Sequence, residues 1–572
     1  MAFVNKAKKI MQCSTNNRIY RSYYDKDIDE KLVYVESMNG GDFTGNVLRI
    51  VEELSTGKYG SFKIFVYANK DVHPKIKELK KNYNLKIKTV SADEIKATKT
   101  LETAKYIITD SHLRPKFVKR PEQVLLNAWY GTPFKTMGID NKSQEHLCAD
   151  IQQVFFASDY LLASSDYMRD KVLNAYMLEK IYPGTVLMGG SPRNSVIFNE
   201  NSELKAKLGF KDKEVFAYVP VSGGNEKSFY KEMDAELKDS QVLLVKSDED
   251  LSGLEHIRAF PKGYETYDIL SFVDCLVTDC SNALFDFANT KRKIILFNPD
   301  GRDFDTYILS SDLPFPEVSS AEELIAELNS GRNYDYSDFI KEFCSHDNPD
   351  ACGDLCRHVF NGEKVCLEEK IKADKKNILI FSGGLKNNGM TSSMINVLSN
   401  IDLDEFNVFI CYSSWDPYLH ENHAEAFGMM PEGIEYCPLR MGLNFTVSEH
   451  REFVKFLSNP NSKLSKPLEN MFKRELHRAF NGFPFDSIIH FNGYGIEETM
   501  LFSVSDAKKS IWVHNDMVQE MQGKDNQNRS VLRHVYNEYD NVCVVSPDLV
   551  KPTSEISGRA DNIRIVPWLR MH

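Results

Sequence analysis

Short apolar runs recur through the chain, each followed by a longer stretch in which apolar positions return at helical spacing. That alternation marks parallel α/β sheets, whose strands are buried on both faces and so read as continuous apolar runs. In the first third, residues 32–35, 63–67, 86–90, 106–109, 124–127 and 160–163 predict one set of strands. Residues 215–219, 242–245, 275–278 and 294–297 predict a second. Between the two sets lies Gly189-Gly190-Ser191-Pro192-Arg193, where glycine and proline punctuate the chain without interrupting a helix. A third set is predicted at 377–381, 408–411, 487–490, 510–514 and 542–546, with a glycine-rich turn at 383–389 and a helix from about Thr391.

The expected fold class is α/β: two Rossmann-like halves facing across a cleft, the GT-B architecture, followed by one further Rossmann-like domain. The expected divisions are an N-terminal extension over 1–30, a first half over 31–190, a second half over 191–362, a charged linker over 363–376 and the last domain over 377–572. The chain stops where the partner half of that last domain would begin. It is therefore expected to hold only half of such a unit, through the gene or through truncation.

A length of 572 residues exceeds one core, and 42% hydrophobic with 27% charged residues is ordinary globular composition. No apolar run approaches the ~20 residues that span a bilayer. Lys6, Lys8 and Lys9 precede no apolar stretch of the kind a secretory signal needs, so a cytoplasmic location is expected. The net charge of −12 argues against a nucleic-acid partner while leaving room for local basic patches. Eleven scattered cysteines fit a reducing compartment. Cys344, His346, Cys352, Cys356 and His358 lie close together but lack the paired spacing of a zinc ribbon, and no metal or cofactor is expected.

Candidate chemistry gathers after the strands, where open α/β sheets bind ligands. Asp279-Cys280-Ser281-Asn282 follows a buried strand and opens a helix, so its backbone N–H groups, hydroxyl and amide form an anion seat suited to a nucleotide pyrophosphate. Arg193, Lys135 and the Gly131-Thr132 turn arrive from elsewhere, and their cations suit the charge that a leaving nucleotide develops. A helix cap alone is the plainer reading of Ser281 and Asn282.

Three segments carry a family resemblance: Trp129-Tyr130-Gly131-Thr132-Pro133-Phe134-Lys135, Gly190-Ser191-Pro192-Arg193-Asn194, and Thr278-Asp279-Cys280-Ser281-Asn282 leading to Phe285-Asp286-Phe287. In order and over about residues 30–360, they resemble the CDP-glycerol glycerophosphotransferases of teichoic acid and capsule synthesis. The resemblance implies a CDP-glycerol or related CDP-polyol donor on the second half and a lipid-linked polymer acceptor on the first. It also implies work at the inner face of the cell membrane. Gly131, Thr132, Lys135, Arg193, Asp279, Ser281, Asn282 and Asp286 would bind substrate. The family's two histidines are replaced, by Tyr130 and by Ser247 after the strand that ends at Lys246. A phenol with an ordinary pKa near ~10 is a poor base at neutral pH, and losing general base catalysis costs about 100-fold or more. The family's Pro-Thr-Trp-Arg segment is also altered, to Pro220-Val221-Ser222-Gly223-Gly224. Three readings follow: an impaired transferase, a non-catalytic binding module fused to an incomplete glycosyltransferase, or a glycosyl or sugar-phosphate transferase whose base is a carboxylate such as Asp248 or Asp279. His112 and His256 are weaker substitutes.

Residues 375–572 resemble the first half of a family-four GT-B glycosyltransferase, through Gly389-Met390-Thr391-Ser392-Ser393, Trp512-Val513-His514-Asn515-Asp516-Met517 and Val544-Val545-Ser546. His514 is a candidate acceptor contact or a structural histidine. Within 464–485, Leu468, Met471, Phe472, Leu476, Ala479 and Phe480 recur at helical spacing among Lys466, Lys473, Arg474, His477 and Arg478. Such a basic amphipathic helix suits either an anionic membrane surface or an ordinary domain core.

Overall fold

The computed structural model describes residues 20–567 except 92–94, 142–147, 222–226, 248, 300, 303, 386–387, 414–425, 441 and 524–526. Asp248 and much of the altered 220–224 segment thus lie outside the described residues.

The first apolar set forms strands β1 (Asp29–Glu36), β2 (Lys63–Tyr67), β3 (Ile87–Val90), β4 (Ala104–Thr109), β5 (Val124–Asn127), β6 (Tyr160–Ala163) and β7 (Thr185–Met188). The second forms β8 (Glu214–Val219), β9 (Gln241–Val245), β10 (Ile257–Ala259), β11 (Cys275–Thr278), β12 (Lys293–Phe297) and β13 (Glu317–Val318), in the order β10-β9-β8-β11-β12-β13. The chain then returns to the first sheet. Helix Ala351–Asn361 buries Cys352, Leu355, Cys356 and Val359 in the core that Val47 and Leu54 share, and β14 (Leu367–Glu369) pairs antiparallel to β7. The spacing of those four residues is one helical face, which explains the return. His358 Nε2 meets Glu368 at 3.1 Å and ties the two pieces. Residues 351–369, expected in the second half and a linker, therefore complete the first sheet, in the order β14-β7-β6-β5-β4-β1-β2-β3.

The third set forms β15 (Lys376–Gly383), β16 (Phe406–Tyr412), β17 (Glu435–Tyr436), β18 (Ser487–His490), β19 (Lys508–Val513), β20 (Asn541–Val544) and β21 (Ile563–Ile565), ordered β17-β16-β15-β18-β19-β20-β21. Each sheet reverses its strand order once, between β1 and β4, β8 and β11, and β15 and β18. Crevices open beyond the carboxyl ends at such reversals.

The third sheet does not hang on a tether. One hydrophobic core runs from Trp129, Phe155 and Phe156 of the first sheet's layer to Phe381, Phe472 and Phe480 of the third. Phe156 and Phe480 lie 5.9 Å apart, edge to face. Arg478 Nη1 donates to Pro115 O at 2.8 Å, Gln153 Nε2 to Arg478 O at 3.1 Å, and Arg440 pairs with Asp150.

This packing corrects the membrane reading of residues 464–485. Helix Lys466–Phe480 buries Leu468, Met471, Phe472, Leu476 and Phe480, so its apolar face is core. Its basic face is neutralised locally: Arg474 pairs with Glu449 at 2.8 Å, Arg478 with Glu475 at 2.8 Å and Lys473 with Glu469 at 2.9 Å. Among the described residues, no helix is long and apolar enough to cross a membrane.

Candidate functional site

The turn after β5 is built around strain. Trp129 is wholly buried yet holds φ +41°, a backbone region that a bulky residue adopts only where its surroundings enforce it. Asn46 supplies part of that enforcement, its Nδ2 donating to Ala128 O at 2.9 Å and Trp129 O at 3.0 Å. Arg193 supplies the rest: its Nη1 donates to Tyr130 O at 2.5 Å, and its backbone N to Asn46 Oδ1 at 3.1 Å. Gly131, at φ +121°, leaves room for this guanidinium, since a Cβ there would stand 2.0 Å from Arg193 Nη2.

Arg193 and Asp286 are therefore not placed as the phosphate ligands they were expected to be. Both are buried, and Arg193 Nη2 meets Asp286 Oδ2 at 2.6 Å. Tyr267 Oη donates to the same carboxylate, and Asn194 Nδ2 donates at 2.7 Å to Asp286 Oδ1 and to Asp347 Oδ2. Burial, with Asp286 beside it, pushes Asp347 up to about 7. This network clamps the turn from behind. A buried guanidinium needs a paired carboxylate, and Asp286 is that partner.

Beyond the clamp the chain crosses to the second sheet. Phe134 packs on Phe285 with ring centres 5.7 Å apart, Lys135 bridges Thr306, and Tyr307 N donates to Phe134 O at 2.8 Å. Thr132 is buried along this crossing, so its expected substrate contact is not available at the surface. Lys135 remains partly exposed, its ammonium beside the Cys280 thiol and 5.4 Å from the Phe304 ring centre. It thus stands over the β11 turn, where Ser281 and Asn282 are also partly exposed at the start of helix Ala283–Ala288. Ser281 Oγ accepts from Ala283 N at 3.2 Å. Asp279 works inward: its carboxylate accepts from Val221 N at 3.0 and 3.1 Å and from Cys280 N at 2.6 Å, joining the β8 and β11 turns across the strand reversal.

Tyr130 is 38% exposed as a residue, but its hydroxyl turns in to Met137 Sδ at 4.0 Å and its ring stacks on Trp129 at 4.4 Å. Desolvation, helped by the Asp110 carboxylate, pushes its phenol up to about 12. At neutral pH it keeps its proton and donates hydrogen bonds. Ser247 closes a tight turn, Oγ accepting from Glu249 N at 3.1 Å. Neither replacement has a base's chemistry. His256 lies at the amino end of β10, on the far side of the sheet from the crevice, its N donating to Asp234 at 2.7 Å. Burial lowers His112, which lies near Asp150 and Arg440 at the seam with the third sheet.

The halves also meet through a buried cluster that sequence reading missed. Arg49 pairs with Asp268 at 2.6 Å, Tyr83 Oη donates to Asp268, and Glu265 accepts from Thr44 Oγ1 at 2.8 Å. The bonded partners Tyr83 and Asp268 are 185 positions apart and Thr44 and Glu265 are 221 apart, and no local motif announces them. In the third sheet's crevice, Gly383 admits Asn492 against its backbone. His514 Nε2 donates to Phe491 O at 2.5 Å, a structural contact, and burial pulls His490 down to about 3.

The CDP-Glycerol:Poly(glycerophosphate) glycerophosphotransferase family matches residues 18–361, ending before β15. The teichoic acid poly(glycerol phosphate) polymerase of Bacillus subtilis (strain 168) is 25% identical over 414 residues, covering 63% of this chain and 53% of that protein. The chain thus spans about half that relative's length. The teichoic acid glycerol-phosphate transferase of Staphylococcus aureus (strain NCTC 8325 / PS 47) is 24% identical over 400 residues, covering 62% of this chain and 99% of that protein. Among solved structures, the wall teichoic acid polymerase TagF superposes with a TM-score of 0.51 at 21% identity, over 63% of this chain and 98% of that one. That is a likeness of fold.

Proposed function

Because the chain belongs to the CDP-Glycerol:Poly(glycerophosphate) glycerophosphotransferase family, we propose that its first two sheets move glycerol phosphate, or a related polyol phosphate, from a CDP-linked donor to a hydroxyl of a lipid-linked acceptor in teichoic acid or capsule polymer synthesis. The observation that carries this reading is the crossing from Trp129 to Lys135, which brings an ammonium against the Cys280 thiol, next to the partly exposed Ser281 and Asn282. The side chains of Ser281 and Asn282 at the β11 turn, with Lys135, receive the donor's diphosphate and neutralise charge on the departing CMP. Tyr130, protonated, orients a substrate oxygen by donating to it. An acceptor held in lipid requires the protein to work against the cytoplasmic face of a membrane, by a surface other than helix Lys466–Phe480.

A second reading is favoured by one observation: neither Tyr130 nor Ser247 can accept a proton at neutral pH. The cleft would then bind donor or polymer without turning it over. Incubation with CDP-glycerol and a lipid-linked acceptor analogue decides. CMP release supports the transferase, and donor binding without release supports the binding module. Absence of both sinks the two readings together.

A further inference from the structure

Residues 70–99 hold nine lysines against four acids, a local +5 in a chain whose net charge is −12. Among them are helix His73–Asn82, strand β3 and the start of helix Ile95–Thr103. β3 is the outermost strand of the first sheet, and the two helices pack on opposite faces of that sheet. Ile76 and Leu79 share a core with Val66, whereas Ala97 and Leu101 share one with Tyr67, and successive strand residues point to opposite faces. The free edge of the sheet and the helix flanks beside it therefore make one surface.

The lysines gather on that surface. Helix His73–Asn82 turns one flank to the second sheet's layer, where Asn82 Nδ2 donates to Gly263 O at 2.7 Å. Glu78 lies on the same flank, since a Cβ on Gly263 would stand 3.3 Å from Glu78 Cβ. The other flank faces the sheet edge: Lys80 Nζ donates to Ile87 O of β3 at 2.8 Å, and Lys77 and Lys81 follow one another beside it at helical spacing. Beyond the edge, Lys88 Nζ and Lys96 Nζ lie 5.8 and 5.0 Å from the centre of the Phe65 ring, and Ile95 is 58% exposed.

Lys77, Lys81, Lys86, Lys88, Lys96 and Lys99 are exposed and make no ion pair among the described residues, which do not include Asp93 and Glu94. The basic helix Lys466–Phe480 differs, because glutamates neutralise it. Lysines on an edge strand discourage pairing with another chain, which accounts for Lys86 and Lys88 but not for those on both helices. Ammonium groups spread over a sheet edge and two helix flanks, beside an exposed isoleucine, match dispersed negative charge over an apolar layer. We propose that this face docks the protein on an anionic lipid surface. The inference rests on the lipid-linked acceptor of the reading above. β3 lies two strands, about 10 Å, from the β1–β4 reversal, so an acceptor anchored beside the face can reach the first sheet's crevice.

The test is co-sedimentation of the full chain with phosphatidylglycerol-rich vesicles and with phosphatidylcholine alone. Anionic vesicles should bind the chain and neutral ones should not, and binding should fade as salt shortens the Debye length from about 10 Å toward about 3 Å. Lys77→Gln, Lys81→Gln, Lys86→Gln and Lys88→Gln together should weaken that binding at least about 100-fold. The same change at Lys211, Lys231, Lys238 and Lys341, exposed on the second sheet's layer, should weaken it less than about threefold. Equal loss in both sets, no loss in the first, or no binding by the parent chain overturns the proposal. So does full release by a free glycerol phosphate oligomer at matched phosphate and ionic strength, which would make the partner a soluble polyanion. Vesicle binding without CMP release refutes the transferase and leaves this face standing. CMP release on a soluble acceptor without vesicle binding does the reverse.

Discussion

Gly131→Ala tests the clamp behind the β5 turn. The new Cβ would lie 2.0 Å from Arg193 Nη2 and 2.7 Å from its Cζ, at a φ of +121°. A non-glycine residue held in sparsely populated backbone costs about 1–3 kcal/mol. The guanidinium cannot swing aside freely, because Nη1 is bonded to Tyr130 O and Nη2 to Asp286. Breaking the buried ion pair would cost about 3–5 kcal/mol, more than losing the bond to Tyr130 O at about 1.5–3 kcal/mol. The turn should therefore yield and the pair should stay, for a total near 3–6 kcal/mol. Three sheets do not melt in one two-state step, so the readout is local. Amide exchange over residues 128–135 should quicken at least about 100-fold, the equivalent of about 3 kcal/mol. With Arg193→Ala in the background, the cost of Gly131→Ala should shrink to its backbone part. Exchange unchanged within about threefold in the single variant would refute the clamp.

Burial raises Glu36 to about 7, so the folded chain keeps a proton that the unfolded chain releases above about 4.5. The carboxyl's contribution to stability is then intact below about pH 4.5 and erodes as pH rises to 7, by about 3 kcal/mol. Glu36→Gln should raise Tm at pH 8 and leave it unchanged at pH 4.5, and an equal effect at both would count against this. Phe480→Ala should cost about 3–5 kcal/mol as a core truncation and leave co-sedimentation with anionic liposomes as it was. Loss of liposome binding with an unchanged Tm would reinstate the interfacial helix. Ser281→Ala with Asn282→Ala should weaken CDP-glycerol binding about tenfold, near 1.4 kcal/mol, and unchanged calorimetric affinity would remove that turn from the site.

Strands buried on both faces were legible because their apolar runs leave no other reading. Elements of two or three residues, such as β13, β14 and β17, carry too little pattern to stand out. β7 is wholly buried yet not evident in the sequence, because Gly184 and Gly189 on its flanks make the region resemble a connection. The glycine-rich and Ser281-Asn282 turns lie at the strand ends where the sequence predicts them. The role of Arg193 was not legible, since its carboxylate lies 93 positions away and a lone guanidinium after a glycine turn suggests phosphate. The basic helix was ambiguous for the same reason: Glu449 and Pro115 O, which occupy its arginines, come from other parts of the chain.

The core shared by the first and third sheets has a consequence for dissecting this protein. Family similarity ends at 361, but the hydrophobic core does not end there. A fragment cut at 361 would bare the outer face of helix Cys148–Ala157, with Phe156 and Ala149 wetted and Asp150 stripped of Arg440. A side chain such as Phe156 gives up about 1.5–3 kcal/mol on exposure. The excised piece should therefore aggregate, whereas a chain nicked near 372 should stay together as two tightly associated fragments.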